Sequence, residues 1–274
     1  MHRSIISDGI PVSAVVPCYN CISTVERAVD SIAAQSRPPM EVILVEDCSA
    51  DGTLAHIRRL KQKYPPGWIQ IIHLRNNVGP GQARNIGWDT ANQPYIAFLD
   101  ADDTWHPEKL NIQYHWMMRR PDVMLTGHGY KPMDHRDRSS SLPADWTAKR
   151  VSPRLFLLKN QFSTPSAMLR RPIAYRFDDG KGHSEDYLLW LVIALSGHPV
   201  WYLDLPLAYV VKAIYGEAGQ TKSLWQMEIG ELNTYMQLHK NGFISFVSLY
   251  FLSMYSIVKF FRRSLILSAR RSFR

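Results

Sequence analysis

Cysteine is scarce in this chain. Cys18, Cys21 and Cys48 are the only three in 274 residues, too few and odd in number for a disulfide framework. The N-terminus, "MHRSIISDGIPVSAVV", lacks an apolar stretch of the form that a secretion signal takes. These two absences lead us to expect a reducing, cytosolic setting. No Gly-x-Gly-x-x-Gly follows the first apolar run, which disfavours a nicotinamide dehydrogenase. Internal repeats and low-complexity segments are also missing. Acids are absent from Lys259 onward: "KFFRRSLILSARRSFR" carries six Lys or Arg, most of the net charge of +8. Such a tail meets either nucleic acid or anionic lipid, and its interleaved Phe, Leu and Ile suit an interfacial helix better than a phosphate groove. "PCYNC" has redox-pair spacing, but the rest of a redox motif is missing, as are further ligands for zinc.

What is present is a strict alternation. "VSAVVP" reads as a buried strand and "STVERAVDSIAAQS" as a helix, with Ser23 and Glu26 in a capping-box pattern. "MEVILVED" is a second strand and "GTLAHIRRLKQKY" a second helix. "IQIIHL", "GQARNIGWDTA" and "YIAFLD" continue the series as strand, helix and strand. Strands that are near-continuous apolar runs, alternating with helices, predict a mostly parallel sheet covered on both faces. Further on, "VMLTGHGY" and "TPSAMLRR" read as strands, and roughly 131–147 as a loop. "HSEDYLLWLVIALSG" reads as a helix, and "VWYLDLPLAYVVK" as two short strands about a turn at Pro206.

In a parallel sheet, ligands bind beyond the carboxyl ends of the strands. Four polar clusters fall at that edge: Tyr19 and Asn20, Asp47, "RNNVGPGQARN", and Asp100 with Asp102 and Asp103. Like charges this close raise one another's pKa unless a positive partner sits among them. The acidic cluster therefore implies a cation, a basic partner or solvent exposure. Asp103 or Thr104 would also serve to cap a helix starting near Pro107.

From about Val12 to Lys212 the motifs "VVPCYN", "VEDCSADGT", "NVGPGQARNIG", "FLDADDTWHPEKL" and "SEDYLLW", in this order, resemble the inverting glycosyltransferases of family two. The resemblance implies the GT-A fold, Rossmann-like, a nucleotide-sugar donor, expected to be UDP-linked, and Mn²⁺ or Mg²⁺. It further implies sugar transfer with inversion to a hydroxyl of a glycan or lipid-linked acceptor, in cell-surface polysaccharide synthesis. Carried over residue by residue, Asp102 and Asp103 would hold the metal and Asp100 would orient the ribose. Asp47 would hydrogen-bond the base and Tyr19 stack on it. Pro17, Asn20 and Ala101 would line the nucleotide, and Arg84 would face the pyrophosphate or sugar. Asp186 would be the general base, supported by Glu185. Two departures stand out. Cys48 occupies a position that is often glycine, and Lys212 stands where relatives carry Arg or His on a closing loop, with Gly216 and Gly219 nearby. Two alternatives share the donor: a polyprenyl-phosphate sugar synthase, in which phosphate itself attacks, and a non-catalytic nucleotide-sugar-binding scaffold.

This division gives a catalytic unit over 1–215, its donor half about 1–130 and its acceptor half about 131–215. Residues 216–274 form a lid and two basic amphipathic helices parted at Asn241-Gly242. "FISFVSLYFLSMYSIVKFF" is nearly long enough to cross a bilayer, but crossing would put the cationic tail outside, against the positive-inside tendency. We therefore expect it to lie on the anionic inner face of the cell membrane, as a peripheral, cytoplasmic protein, with no nucleic-acid partner.

Overall fold

The computed structural model describes residues 9–133, 141–178, 184–211 and 220–272. The first half follows the alternation. Strand β1 (Ile10–Cys18), helix α1 (Val25–Ala33), β2 (Pro39–Glu46), α2 (Thr53–Lys61), β3 (Ile69–His73), α3 (Pro80–Thr90) and β4 (Tyr95–Phe98) run in order. Their strands lie as β3-β2-β1-β4, all parallel. Val15 sits at the centre, opposite Ile43 on one side and Phe98 on the other, all three fully buried. Helix α3 comes very close to this sheet at Gly87. A Cβ there would lie 2.4 Å from Val15 Cγ1 and 3.1 Å from Val45 Cγ2, so only glycine fits.

The remaining elements are β5 (Thr104–Trp105), α4 (Lys109–Met118), β6 (Leu125–Pro132), β7 (Ala148–Arg150), α5 (Pro153–Leu158), β8 (Met168–Arg170), α6 (Glu185–Leu195), β9 (Val200–Val210), α7 (Gln220–Lys240) and α8 (Phe246–Ser272). They extend the same sheet as β4-β8-β6-β9-β5, with β7 on β9. This half is mixed: β8 runs antiparallel to β4 and β6, while β6 and β9 are parallel. The parallel expectation therefore holds for the first four strands and gives way at β8. Helices flank both faces of the sheet, which is the α/β architecture expected.

Several local readings change. Helix α1 begins at Val25, preceded by Thr24, and has no side-chain cap. The backbone carbonyl of Cys21 accepts the N–H groups of Thr24 and Val25 instead, so the Ser23/Glu26 box is not formed and Glu26 pairs with Lys63. Helix α4 starts at Lys109, beyond the reach of Asp103 or Thr104 as caps; Thr104 belongs to β5. The turn expected at Pro206 is absent. β9 runs through it as one strand, because Pro206 falls opposite Gly129 where the β6 register shifts and no ladder N–H is required. Strands β5 and β7 and helix α5 had no counterpart in the sequence reading. The C-terminal pair is as expected, with Gly242 at φ +76° closing the turn after α7 and Phe243 N–H donating to Leu238 O at 2.8 Å.

Candidate active site

A cleft of ≈ 570 Å³ opens at the carboxyl edge of β1, β2 and β4. Eight residues singled out from the sequence line it: Pro17, Tyr19, Asn20, Asp47, Arg84, Asp100, Ala101 and Asp102. They come from four separate stretches of chain, and the sheet brings them to one place because each follows the end of a parallel strand or opens the next helix.

The wall is built by polar side chains holding backbone. Asn20, at φ +47°, accepts from Ala50 N–H through Oδ1 (2.9 Å), while its own N–H donates to Ser49 Oγ (3.0 Å). This joins the loop after β1 to the loop after β2. Asp47 is buried, and its carboxylate accepts from the N–H groups of Val78 (2.7 Å) and Gly79 (2.9 Å). It thereby fixes the loop that opens α3. Asp51 supplies the turn before α2, accepting from Thr53 N–H at 3.0 Å beside Gly52 at φ +87°. Tyr19 is about half exposed, with its ring free at the rim.

Arg84 is not a surface arginine. Its guanidinium is buried and bridges two acids, donating to Asp100 at 2.6 Å and to Glu185 at 2.9 Å. Burial opposes its charge, but the Asp100 and Glu185 carboxylates more than offset that and hold it firmly protonated. The bridge ties the end of β4, α3 and the first turn of α6 together. Gly81 allows the contact, since a Cβ there would sit 3.2 Å from Glu185 Cγ.

The three aspartates have separate surroundings. Asp100 is held by Arg84. Asp102 is exposed at the cleft, its backbone carbonyl accepting from Arg27 at 2.9 Å. Its pKa is raised by partial burial and by the adjacent Asp100 charge. Asp103 does not line the cleft. It is buried, accepts from Val211 N–H at 2.9 Å, and is pushed up to about 8 by burial, with the Asp100 charge adding. Asp103 thus anchors the chain just before Lys212. Lys212, Gly216 and Gly219 lie outside the described residues.

Asp186 stands next to Glu185 in the first turn of α6 and does not itself line the cleft. Its carboxylate accepts from Thr164 Oγ1 at 3.1 Å and from Tyr187 N–H at 2.6 Å. Burial, then the Glu185 charge, push its pKa up to about 6, with Arg84 and the two hydrogen bonds pulling the other way. The N-terminus of α6 by itself favours the ionised carboxylate and would lower the value; desolvation wins. Thr164 was missed, as were Cys21, Thr24 and Asn77 on the cleft wall. Asn77 had a visible signal, being inside the quoted loop "RNNVG". Thr164 had none, because it reaches Asp186 from 22 residues away.

Two oxygen donors at a diphosphate site fit Mg²⁺ or Mn²⁺, which take one or two carboxylates and complete their shell with phosphate and water. Asp102 fits as one such donor, being a cleft carboxylate with no cation paired to it among the described residues. Asp103 fits poorly, since it points to Val211. No cluster of three His, Cys, Asp or Glu suited to a metal occurs among the described residues, which is compatible with a metal held partly by its substrate.

The model of the family described as Glycosyl transferase family 2 matches residues 13–177. The chain is 40% identical over 126 residues to a putative teichuronic acid biosynthesis glycosyltransferase, TuaG, of Bacillus subtilis, covering 45% of this chain and 48% of that one. It is 42% identical over 200 residues to the succinoglycan biosynthesis protein ExoO of Rhizobium meliloti, covering 66% and 55%. The chain therefore spans about half the length of these two relatives. Among solved structures it is similar to S. aureus TarS 1–349 in complex with UDP-GlcNAc, with a TM-score of 0.67, 20% identity, and coverage of 89% of this chain and 70% of that one. At that identity the likeness is one of fold, and the fold is GT-A.

Proposed function

The chain belongs to glycosyl transferase family 2, and on that premise we propose that it moves a sugar from a UDP-linked donor to an acceptor hydroxyl, with inversion at the anomeric carbon. The acceptor is a growing glycan or a lipid-linked saccharide, in assembly of a cell-surface polysaccharide at the inner face of the membrane. Residues 1–215 are the catalytic unit in this reading and 216–274 an appendage. The observation that carries it is the convergence of eight residues, from four motifs, on one cleft. The relatives' names, teichuronic acid and succinoglycan biosynthesis, support the pathway class. The UDP-GlcNAc bound by TarS supports the donor class.

In this mechanism Tyr19 stacks on the base and Asp47 hydrogen-bonds it, using lone pairs left over from its two backbone contacts. Asp100, steadied by Arg84, takes the ribose. Asp102 would hold a divalent cation, which would supply Lewis-acid stabilisation of the leaving diphosphate. Asp103 positions the segment carrying Lys212, whose ammonium adds positive charge to the phosphates. Asp186, with a pKa near 6, is ionised at neutral pH yet basic enough to accept a proton. The acceptor oxygen attacks the anomeric carbon and its proton passes to Asp186 as the bond to the diphosphate breaks. Glu185 holds Arg84 and, through it, the donor side of the cleft.

Titrating UDP into the protein in a calorimeter, with and without Mn²⁺ and with GDP as a control, tests this. Metal-dependent UDP binding is expected. Preference for GDP would change the donor but keep the chemistry. If folded protein bound neither nucleotide, the cleft would not be a donor site.

A further inference from the structure

We propose that the outward face of α8 is a contact surface for an anionic lipid bilayer. It deepens the membrane location given above, and the polarity of the helix is what carries it. Val247, Phe251, Met254, Val258, Phe261 and Leu265 are between 44% and 70% exposed. At about 100° per residue they fall within an arc of roughly 80°. Ser256, by contrast, is fully buried, and Lys259 turns inward to Glu231 of α7 (2.5 Å) and to the carbonyl of Leu158 (3.2 Å). The inner side also seats Leu252 and the partly buried Leu249 against the core, so α8 is apolar on its outer side as well as its inner one, whereas a helix whose outer side meets water keeps that side polar.

The helix is also unable to relieve this by rolling. Turning the apolar arc inward would carry Lys259 out of its ion pair and leave Glu231 without its cation. The contact with Leu158 sets α5 beside α8, and Leu155 on that short helix is 62% exposed. No helix among the described residues is long and apolar enough to cross a membrane, so the face lies along the bilayer.

Charge selects the occupant. From Phe246 to Arg274 the sequence has six Lys or Arg and no acid. Exposed Arg262 borders the apolar arc. Anionic headgroups complement this, and an apolar face with neighbouring cations is the form of an interfacial helix. A second copy of the same helix would bring more positive charge and no acid to meet it.

Flotation of the full chain with phosphatidylcholine vesicles, with and without phosphatidylglycerol, tests the proposal. Binding to the anionic vesicles is expected, weakened at least about tenfold by Val258→Asp or Phe251→Asp, each of which puts a charge where an apolar side chain would enter the interface. Both positions are exposed, so the variants keep the fold, and an unchanged UDP titration checks this. Binding that survives both substitutions but vanishes in high salt would overturn the proposal, because the tail's cations would then act alone. It would also fall if the chain ignored vesicles and sedimented as a dimer that Val258→Asp made monomeric. Vesicle binding lost in the variants, in a protein that binds no nucleotide, would leave the bilayer face standing and remove the transferase reading.

Discussion

The parallel half of the sheet and the C-terminal helix pair sort polarity in opposite ways. Around β1, β2 and β4 the apolar residues are inside and the polar ones gather at a single edge, where they face a cleft. On α8 a broad apolar face points outward, while Ser256 and Lys259 are turned inward beside Leu252. Both are departures from an ordinary solvated surface, and in each the displaced groups mark where a partner belongs. On the two proposals above, the partner is charged and small in the first and apolar and extended in the second.

The largest effect expected is on the cleft. Asp186→Asn should lower kcat by about 10³-fold, within the range of a lost general base, with UDP affinity unchanged. The wild-type kcat/KM should rise with pH through about 6 and level off above it, as Asp186 ionises. Its contribution to stability has the reverse sign. The folded pKa lies above the usual value of 3.8, so the native state holds the proton more tightly. Stability from this group is therefore greatest in acid and falls as pH rises from about 4 through 6. Activity and stability should move in opposite directions across that window; in Asp186→Asn the activity response should vanish and the stability slope should shrink, the raised carboxyls of Asp102 and Asp103 keeping the remainder. Full activity in Asp186→Asn would favour a synthase in which phosphate attacks, since that reaction needs no base.

Next in size is a contrast between two ion pairs. Arg84→Met removes a guanidinium only 5% exposed and strands two carboxylates, Asp100 and Glu185, against each other, and should cost roughly 3 kcal/mol. Lys259→Met removes a more exposed cation, at 18%, and strands one carboxylate, Glu231. It should cost less, about 1–2 kcal/mol. Urea unfolding of the two variants measures this directly. Equal costs would mean that the helix pair is held as tightly as the cleft, and the contrast between the regions would lose its energetic basis.

How much of this was readable in the sequence differs along the same line. The first four strands were legible because parallel strands are unbroken apolar runs and their polar ends announce the edge. Strands β5 and β7 were not, having two and three residues respectively, too short for any period to register. The direction of β8 was hidden because antiparallel pairing is a tertiary choice. For the site, sequence order was enough to find Asp47, Asp100 and Asp102. It did not separate the neighbours Asp102 and Asp103, which differ only in which way the backbone turns them. Nor did it give the Arg84 bridge, which joins positions 101 residues apart. On α8 the amphipathic, basic character was visible, but which side of the helix met the protein was not.

The smallest effect concerns the loop that joins these strands to the cleft. Among the described residues three non-glycines have positive φ, Asn20, Cys48 and Ser184, and each is a site residue or stands next to one. Cys48 is exposed at φ +58°, a conformation that costs an L-residue about 1 kcal/mol and glycine almost nothing. Its thiol makes one long contact, 3.4 Å to Arg75 O. Cys48→Gly should therefore raise stability by about 0.5 kcal/mol, part of the relief being offset by the freer unfolded chain. Asn20→Gly should do the reverse, because it deletes the acceptor for Ala50 N–H and asparagine tolerates this region already. A higher urea midpoint for Cys48→Gly with UDP affinity intact would show strain there without function. A lost affinity would mean that the thiol's hold on Arg75 shapes the cleft.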